Sequence, residues 1–577
     1  MSMYNEMCCS RGIPLHKGRR GKFLGWIIKL VRQDKDLHLS VPTLIRKQGL
    51  FIILPIIAFT YFSWGSGIGA RYFDEGYFLY GADCILHGLV PYRDFFTIYF
   101  PGQIYLLALI FKLFGDTLFV ERVFSVIVFS FLATIVFITA KRMGAMQLAL
   151  ISWLLAFLWF GAFGFLYFAT PAPTALVFSQ LSCLFFLDFL SSSHKKSLFF
   201  AGIFAAITAL FRQDFGLYLI LSSTAVGLVF IFRSVRSRGR EPAAAFYEMM
   251  GFGHYFFAFL LLFVPAGLFF FIKAPLEDLL FDLVQWPLVI QPRFISIPYP
   301  PPLPDLYPLL SGEQSAGSYL TKTLLRVPFY FSIMIFASAL LLLIKLPEQL
   351  SRWNVSFILI LGLFYLNLAR ERSDLAHLYP ATIQAAILLP ALLSRKNGGG
   401  RRAIFLRTIV LVVSLLMIGS LALHGWRSLP VSTNGLISPQ LRRARGLYLH
   451  PATAGNLELA VKFIRSHSSE DERIFVGNYR HDVSTMNDIM FYFFSERQSA
   501  TKYHAIGLGL GTLQKVQEVI VRDLDRHANY IVIWTASKNH LTAETSQGVL
   551  LVDEYIRAHY QPIRRFGDYL VLRRRSI

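Results

Sequence analysis

Charged side chains are scarce: Asp, Glu, Lys and Arg make up 16% of the 577 residues, against 55% hydrophobic. With so little charge, and with apolar residues gathered in long blocks, the chain reads as a membrane protein and not as a soluble domain. Cysteine is nearly lacking as well. Cys8, Cys9, Cys84 and Cys183 are too few and too scattered for a disulfide framework or a Cys-x-x-Cys metal site. No apolar run followed by a small-residue cleavage site occurs in residues 1–47, so no cleaved signal peptide is expected. The glycine run Gly507, Gly509, Gly511 has neither the spacing nor the preceding strand of a dinucleotide fingerprint, and Gly398 to Gly400 reads as a linker; both are expected to be turns. Asp-x-Asp pairs occur at Asp34 with Asp36 and at Asp523 with Asp525, neither a convincing metal site, so no cofactor is expected and a divalent metal stays open.

The apolar blocks are what the chain has in abundance. They lie near 48–64, 118–140, 145–165, 171–190, 197–211, 215–232, 253–272, 327–345, 353–369, 376–394 and 403–424. A crossing needs about 20 mostly apolar residues, so the blocks predict a polytopic helical protein with about eleven spans. The net charge of +21 follows the same division. Lys and Arg mark cytoplasmic loops. If the N-terminal Arg11, Lys17, Arg19, Arg20 and Lys22 stay inside, so do five further basic loops, at Lys141 with Arg142, Lys195 with Lys196, Arg233 to Arg240, Lys345 with Arg352, and Arg395 to Arg402. Nucleic acid is therefore not the partner of this charge; membrane lipids are. An odd number of crossings leaves the C-terminal part outside. The expected division is a basic cytoplasmic segment, 1–47, a membrane domain, 48–424, with external loops at 65–117 and 273–326, and an extracytoplasmic domain, 425–577.

The apolar segment Gly102 to Phe114 opens after Pro101 and stops at Gly115, and it is too short to cross; a crossing there would also invert every later basic loop. It is expected to lie at the interface. On this topology three polar groups reach one outer face: Asp74 with Glu75, Arg212 with Asp214, and Arg372 with Asp374 and His377. Ionisable groups gathered at helix ends beside a membrane predict a polar cavity, and solvated loop residues are the plain alternative. Asp74 precedes an expected helix, Glu75 to His87, which stops at Gly88, so an N-cap is its ordinary role, although Tyr77 stands where a capping box needs Glu or Gln. The loop from Lys273 to Arg326 holds Pro298, Pro300, Pro301, Pro302 and Pro304, which suits either a binding loop or extended packing over the membrane surface.

Beyond 425 the sequence alternates strand and helix. Strands are expected near Arg473–Val476, Tyr530–Trp534 and Tyr569–Arg573, with helices near Gly455–His467, Leu513–Arg526 and Val549–Tyr560, giving a small α/β domain. Tyr479, Arg480, His481 and Asp482 follow a strand end, where ligands often bind, but a surface loop is the plainer reading.

The first external loop carries a resemblance. Asp74 and Glu75 after the first helix, then a helix, the Pro91-Tyr92 turn, the segment from Pro101 to Phe114, and Arg122 early in the second crossing resemble the N-terminal half of the GT-C glycosyltransferases that use polyprenyl-phosphate sugars. The branch is that of the protein O-mannosyltransferases and lipid A aminoarabinose transferases. The resemblance implies an inverting transfer of a monosaccharide from a polyprenyl-phosphate donor to a lipid, polysaccharide or protein acceptor at the extracytoplasmic face of a cell envelope. It implies Asp74 as the base, and Glu75 beside it in the catalytic pair. Arg212 and Arg372 would hold the leaving phosphate, with Arg122 and His377 behind them and Arg93 a further substrate-binding candidate, while Glu75, Asp94, Asp214 and Asp374 would orient those cations or meet sugar hydroxyls. The stretch Phe100, Pro101, Gly102 lacks the second proline of the mannosyltransferases, which weakens the case for a protein acceptor. Other readings are a glycan polymerase or ligase, which would not need the Asp-Glu pair, a transporter of lipid-linked sugars, and an inactive scaffold of the same fold. Transporters place charges within helices and show repeated halves, and no such repeat is present in the sequence.

Overall fold

Each of the eleven apolar blocks folds as a helix in the computed structural model, which describes residues 41–162, 168–237, 242–344, 350–394, 401–428, 434–540 and 545–575. Residues 41–50 belong to one unit and are helical; Phe51–Ile577 form the other. The N-terminal basic segment, Cys8, Cys9, Asp34 with Asp36, and Lys345, Arg238, Arg240, Arg395, Lys396 and Gly398 to Gly400 lie outside the described residues. Among the described residues, seven helices are each long and apolar enough to cross a membrane: Leu118–Met143, Pro171–Ser192, Gln213–Arg233, Met250–Lys273, Arg352–Arg370, Leu375–Leu393 and Ala403–Trp426. Ala316–Leu324 with Val327–Leu343, bent by 54°, makes an eighth as a pair. The apolar part of the first helix, Gly49–Ser63, and the 17-residue helices Met146–Ala162 and Lys195–Phe211 are shorter, and at 1.5 Å per residue a 17-residue helix spans about 25 Å, under the hydrocarbon thickness. The protein is thus a polytopic α-helical membrane protein with a small C-terminal α/β domain.

The helix Asp74–Leu86 begins one residue earlier than the sequence suggests and stops at Gly88, whose φ of +78° only glycine adopts without cost. Gly102–Phe114 is a 13-residue helix ending at Gly115, too short to cross. Ile104, Leu107 and Phe111 face the protein, while Leu109, Leu113 and Phe114 are exposed.

In the C-terminal domain the strands β1 (Arg473–Asn478), β2 (Ala528–Trp534), β3 (Tyr560–Phe566) and β4 (Tyr569–Arg574) form one sheet in the order β1-β2-β4-β3. β1 and β2 are parallel, joined across the helix Gln514–His527; β4 is antiparallel to both neighbours. β3 is an addition to the expected strands, and so is the buried helix Met490–Ser495. β3 escapes the apolar/polar reading because it is an exposed edge with five outward residues in a row, Gln561 to Arg565.

This domain shares a core with the first loop. Tyr77, Phe78, Leu79 and Tyr80 pack among Met490 to Phe494, Val476 and Val532. The approach is close: a Cβ on Gly76 would lie 2.5 Å from the Met490 amide nitrogen, so glycine is required there. Charged contacts surround this core. Arg443 reaches Asp83 and Asp116 at 2.8 Å each, and Lys502 reaches Asp278 at 2.7 Å.

Candidate active site

Two breaks between bundle helices have the same construction. The helix Lys195–Phe211 ends at Arg212, whose φ and ψ of −142° and 103° are extended, and a new helix starts at Gln213 with Asp214 in its first turn. Leu368–Glu371 ends at Arg372 with φ and ψ of −141° and 101°, and Asp374 caps the helix Leu375–Leu393, accepting from the His377 amide at 3.0 Å. An acidic side chain favours a helix start. Here each also grips the arginine two residues before it. Arg212 donates from Nε and Nη2 to Asp214 at 2.9 and 2.6 Å, and Arg372 donates from Nε to Asp374. Arg212 lies over the rings of Tyr99 and Phe215, 5.0 and 4.4 Å from their centres. Asp374 also accepts from His377 Nδ1 at 2.6 Å.

These arginines line one cavity of about 690 Å³ with Asp74, Asp374, His377 and Arg71. Its walls are aromatic and apolar, including Phe73, Tyr99, Trp286 and Tyr379. Asp74 is the first residue of its helix, and the N-cap position, Phe73, makes no side-chain capping bond. The capping role expected of Asp74 is not what it does. Among the described residues its carboxylate has no hydrogen bond and no ion pair within 4.0 Å. It is open to the cavity yet enclosed by protein. That enclosure withholds bulk water from the charge and raises the Asp74 pKa above its ordinary 3.8, while Arg372 and Arg71 pull it back and Asp374 adds to the rise. Asp374 goes the other way: burial pushes it up, but the hydrogen bond and charge of His377 and the charge of Arg372 outweigh burial and hold it low. The arginines keep donors to spare. Arg212 Nη1 and the Nη groups of Arg372 carry no hydrogen bond among the described residues, so their free edges can meet an anion two-pronged.

The remaining sequence candidates sit elsewhere. Glu75 is buried and turned from the cavity, bonded to Arg122 at 2.7 and 2.8 Å. It also accepts from the Arg71 amide at 3.2 Å, and Arg122 donates to the carbonyls of Ser66 and Gly69 at 2.9 and 2.7 Å. The pair staples the turn that presents Asp74. Arg93 and Asp94 pair with one another, with Arg93 exposed, and do not line the cavity. Asp214 holds Arg212 from behind.

Sequence reasoning missed Arg71, Tyr99 and Tyr379. The first two lie in the loop already singled out, but nothing in their spacing separates them from its many other aromatic and basic residues. The Pro-rich loop turns out to be a wall of the cavity: Pro298 and Pro300 line it, and Ser373 bonds to the carbonyls of Ile297 and Pro298 at 3.0 and 2.6 Å. The glycine run at 507–511 is a turn, as expected, and it closes the cavity from the C-terminal domain, whereas Arg480 to Asp482 stay apart from it. His481 is buried against Asp553 at 2.9 Å, so that stretch is only partly a surface loop.

No family model matches the chain, and no curated protein matches it. Among solved structures it is similar to ArnT from Cupriavidus metallidurans, in the apo state and bound to undecaprenyl phosphate. Each comparison gives a TM-score of 0.50 at 13% identity, covering 92% of this chain and 98% of that one. An oligosaccharyltransferase from Archaeoglobus fulgidus follows at a TM-score of 0.44 and 12% identity, covering 84% of this chain and 67% of that one. At such identities the likeness is one of fold. The fold is the GT-C type that the first loop suggested, over nearly the whole chain.

Proposed function

We propose that this protein is an integral-membrane inverting glycosyltransferase, moving a monosaccharide from a polyprenyl-phosphate donor to a lipid, polysaccharide or protein acceptor. The observation that carries the reading is an unpaired carboxylate, Asp74, in the same cavity as two arginines with free donor edges, Arg212 and Arg372. Asp74 accepts the proton of the acceptor hydroxyl as its oxygen attacks the anomeric carbon; the bond from that carbon to the phosphate oxygen breaks on the opposite face. The leaving phosphate gains negative charge, and Arg212 and Arg372, preorganised by Asp214 and Asp374, meet it. His377 is the further donor. The shared fold supports this reading, since the ArnT structure holds undecaprenyl phosphate. The basic loops support a cytoplasmic N-terminus and an extracytoplasmic cavity.

The test is Asp74→Asn in membranes supplied with labelled polyprenyl-phosphate monosaccharides. Insertion and folding are expected to persist while sugar transfer is lost. Full activity of the variant would overturn the base assignment. Mass spectrometry of envelope glycolipids and glycans with and without the protein names the sugar and acceptor; an unchanged glycan profile counts against a transferase.

A further inference from the structure

The turn from Gly507 to Leu510 is closed by a hydrogen bond from the Leu510 amide to the Gly507 carbonyl at 3.1 Å. Both of its central residues have positive φ, Leu508 at 56° and Gly509 at 92°, as in a type I′ turn. Such turns favour Asn-Gly or Gly-Gly, because a branched apolar side chain at positive φ is strained. The turn leaves little freedom. A Cβ on Gly507 would lie 2.4 Å from the Phe73 ring, and one on Gly509 would lie 2.3 Å from the Phe294 ring. The Ile506 amide is fixed by Asn487 Oδ1 at 3.2 Å, and Thr512 bonds back to the Gly509 carbonyl.

Leucine therefore stands at a position where glycine or asparagine is easier, and core packing does not account for it. From Tyr503 to Thr512 every residue is buried except Leu508, which is half-exposed and lines the cavity. Its neighbour Gly507 rests on Phe73, next in sequence to Asp74. Backbone strain held by well-fixed surroundings is kept where the strained residue is used.

Resting on the transferase reading, we propose that Leu508 is a specificity-determining residue by which the C-terminal domain contacts the C–H face of the sugar held beside Asp74. An extramembrane turn meets the sugar, because the polyprenyl chain stays in the bilayer. Alkyl groups suit the C–H face of a pyranose or a deoxygenated carbon and leave hydroxyl recognition to the charged side of the cavity.

The experiment compares the full-length wild type with Leu508→Asn and Leu508→Gly, using polyprenyl-phosphate mannose, glucose and arabinose as donors and native membranes as acceptor. Both substitutions suit positive φ, and asparagine completes an Asn-Gly pair, so thermal stability is expected to match or exceed the wild type. The ratio of kcat/KM between the preferred donor and the next is expected to fall about tenfold, the scale on which an apolar contact discriminates. A Tm lowered by more than about 5 °C in both variants would assign Leu508 to packing and overturn the proposal. Transfer with an unaltered donor ratio overturns this inference alone. Absence of transfer by the wild type with every donor overturns the transferase reading and this one with it.

Discussion

Arg122 holds Glu75 by two parallel hydrogen bonds, Nε to Oε1 at 2.7 Å and Nη2 to Oε2 at 2.8 Å, with both side chains buried. The same guanidinium ties down the Ser66 and Gly69 carbonyls, so one arginine fixes the loop before Asp74 and the helix that follows it. Removing one member leaves a buried charge without its partner, which costs about 3–5 kcal/mol. Glu75→Gln or Arg122→Met is therefore expected to lose activity together with folded protein, measured as a lowered Tm in detergent. The pair Glu75→Leu with Arg122→Met is expected to recover most of the stability, because apolar replacement of both partners is often neutral. A Glu75→Gln variant with wild-type stability and no activity would return Glu75 to the chemistry.

The paired arginines make a second prediction. On the proposed mechanism, substituting alanine for Arg212 or Arg372 removes donors that meet the developing phosphate charge and is expected to lower kcat about 10²- to 10³-fold. Lysine keeps the charge but not the fork, so Arg212→Lys and Arg372→Lys are expected to recover only part of that loss. Steady-state kinetics with Tm measured in parallel checks this, since neither residue is needed to close an apolar core.

How much of this was legible in the sequence depends on range. Hydropathy exposes the bundle because each helix must be apolar along its length. The arginines at 212 and 372 are visible because each is followed two residues later by an aspartate beside an apolar block. Glu75 has two readings in the sequence, the chemistry or the orientation of a cation, because adjacent carboxylates read alike until the helix sends Asp74 toward the cavity and Glu75 toward Arg122. The contribution of the C-terminal domain was hidden altogether. It depends on Gly507 meeting Phe73, a contact across more than 400 residues that no local pattern encodes.

The environment of Asp74 sets a pH dependence. Burial, opposed by Arg372 and Arg71, holds its pKa above 3.8. If Asp74 is the base, as proposed, it must be ionised, so kcat/KM is expected to fall as pH drops through that raised value, with an acid limb above that of an exposed carboxylate. Arg71→Gln removes a positive charge that favours the ionised form, so the limb is expected to move to higher pH, by up to about one unit. A limb that stays in place or moves to lower pH would show that Asp74 is not the titrating group.

Asp488, beneath the sheet of the C-terminal domain, accepts from the Tyr569 hydroxyl at 2.7 Å and from the Phe491 amide at 3.1 Å, and it is fully buried. Burial raises its pKa from 3.8 to about 7, with those hydrogen bonds opposing the rise. The folded state therefore retains a proton that the unfolded chain releases above pH 4. By linkage, the stabilisation is complete below about pH 4, is lost as pH rises toward 7, and changes no further above that; over the window it amounts to roughly 4 kcal/mol. Asp488→Asn keeps an acceptor and adds an amide donor that the Tyr569 oxygen can accept, and it does not titrate. Its Tm relative to wild type is expected to rise between pH 5 and pH 8 in matched thermal melts. A constant difference across that range would mean that Asp488 is ionised in the folded protein throughout.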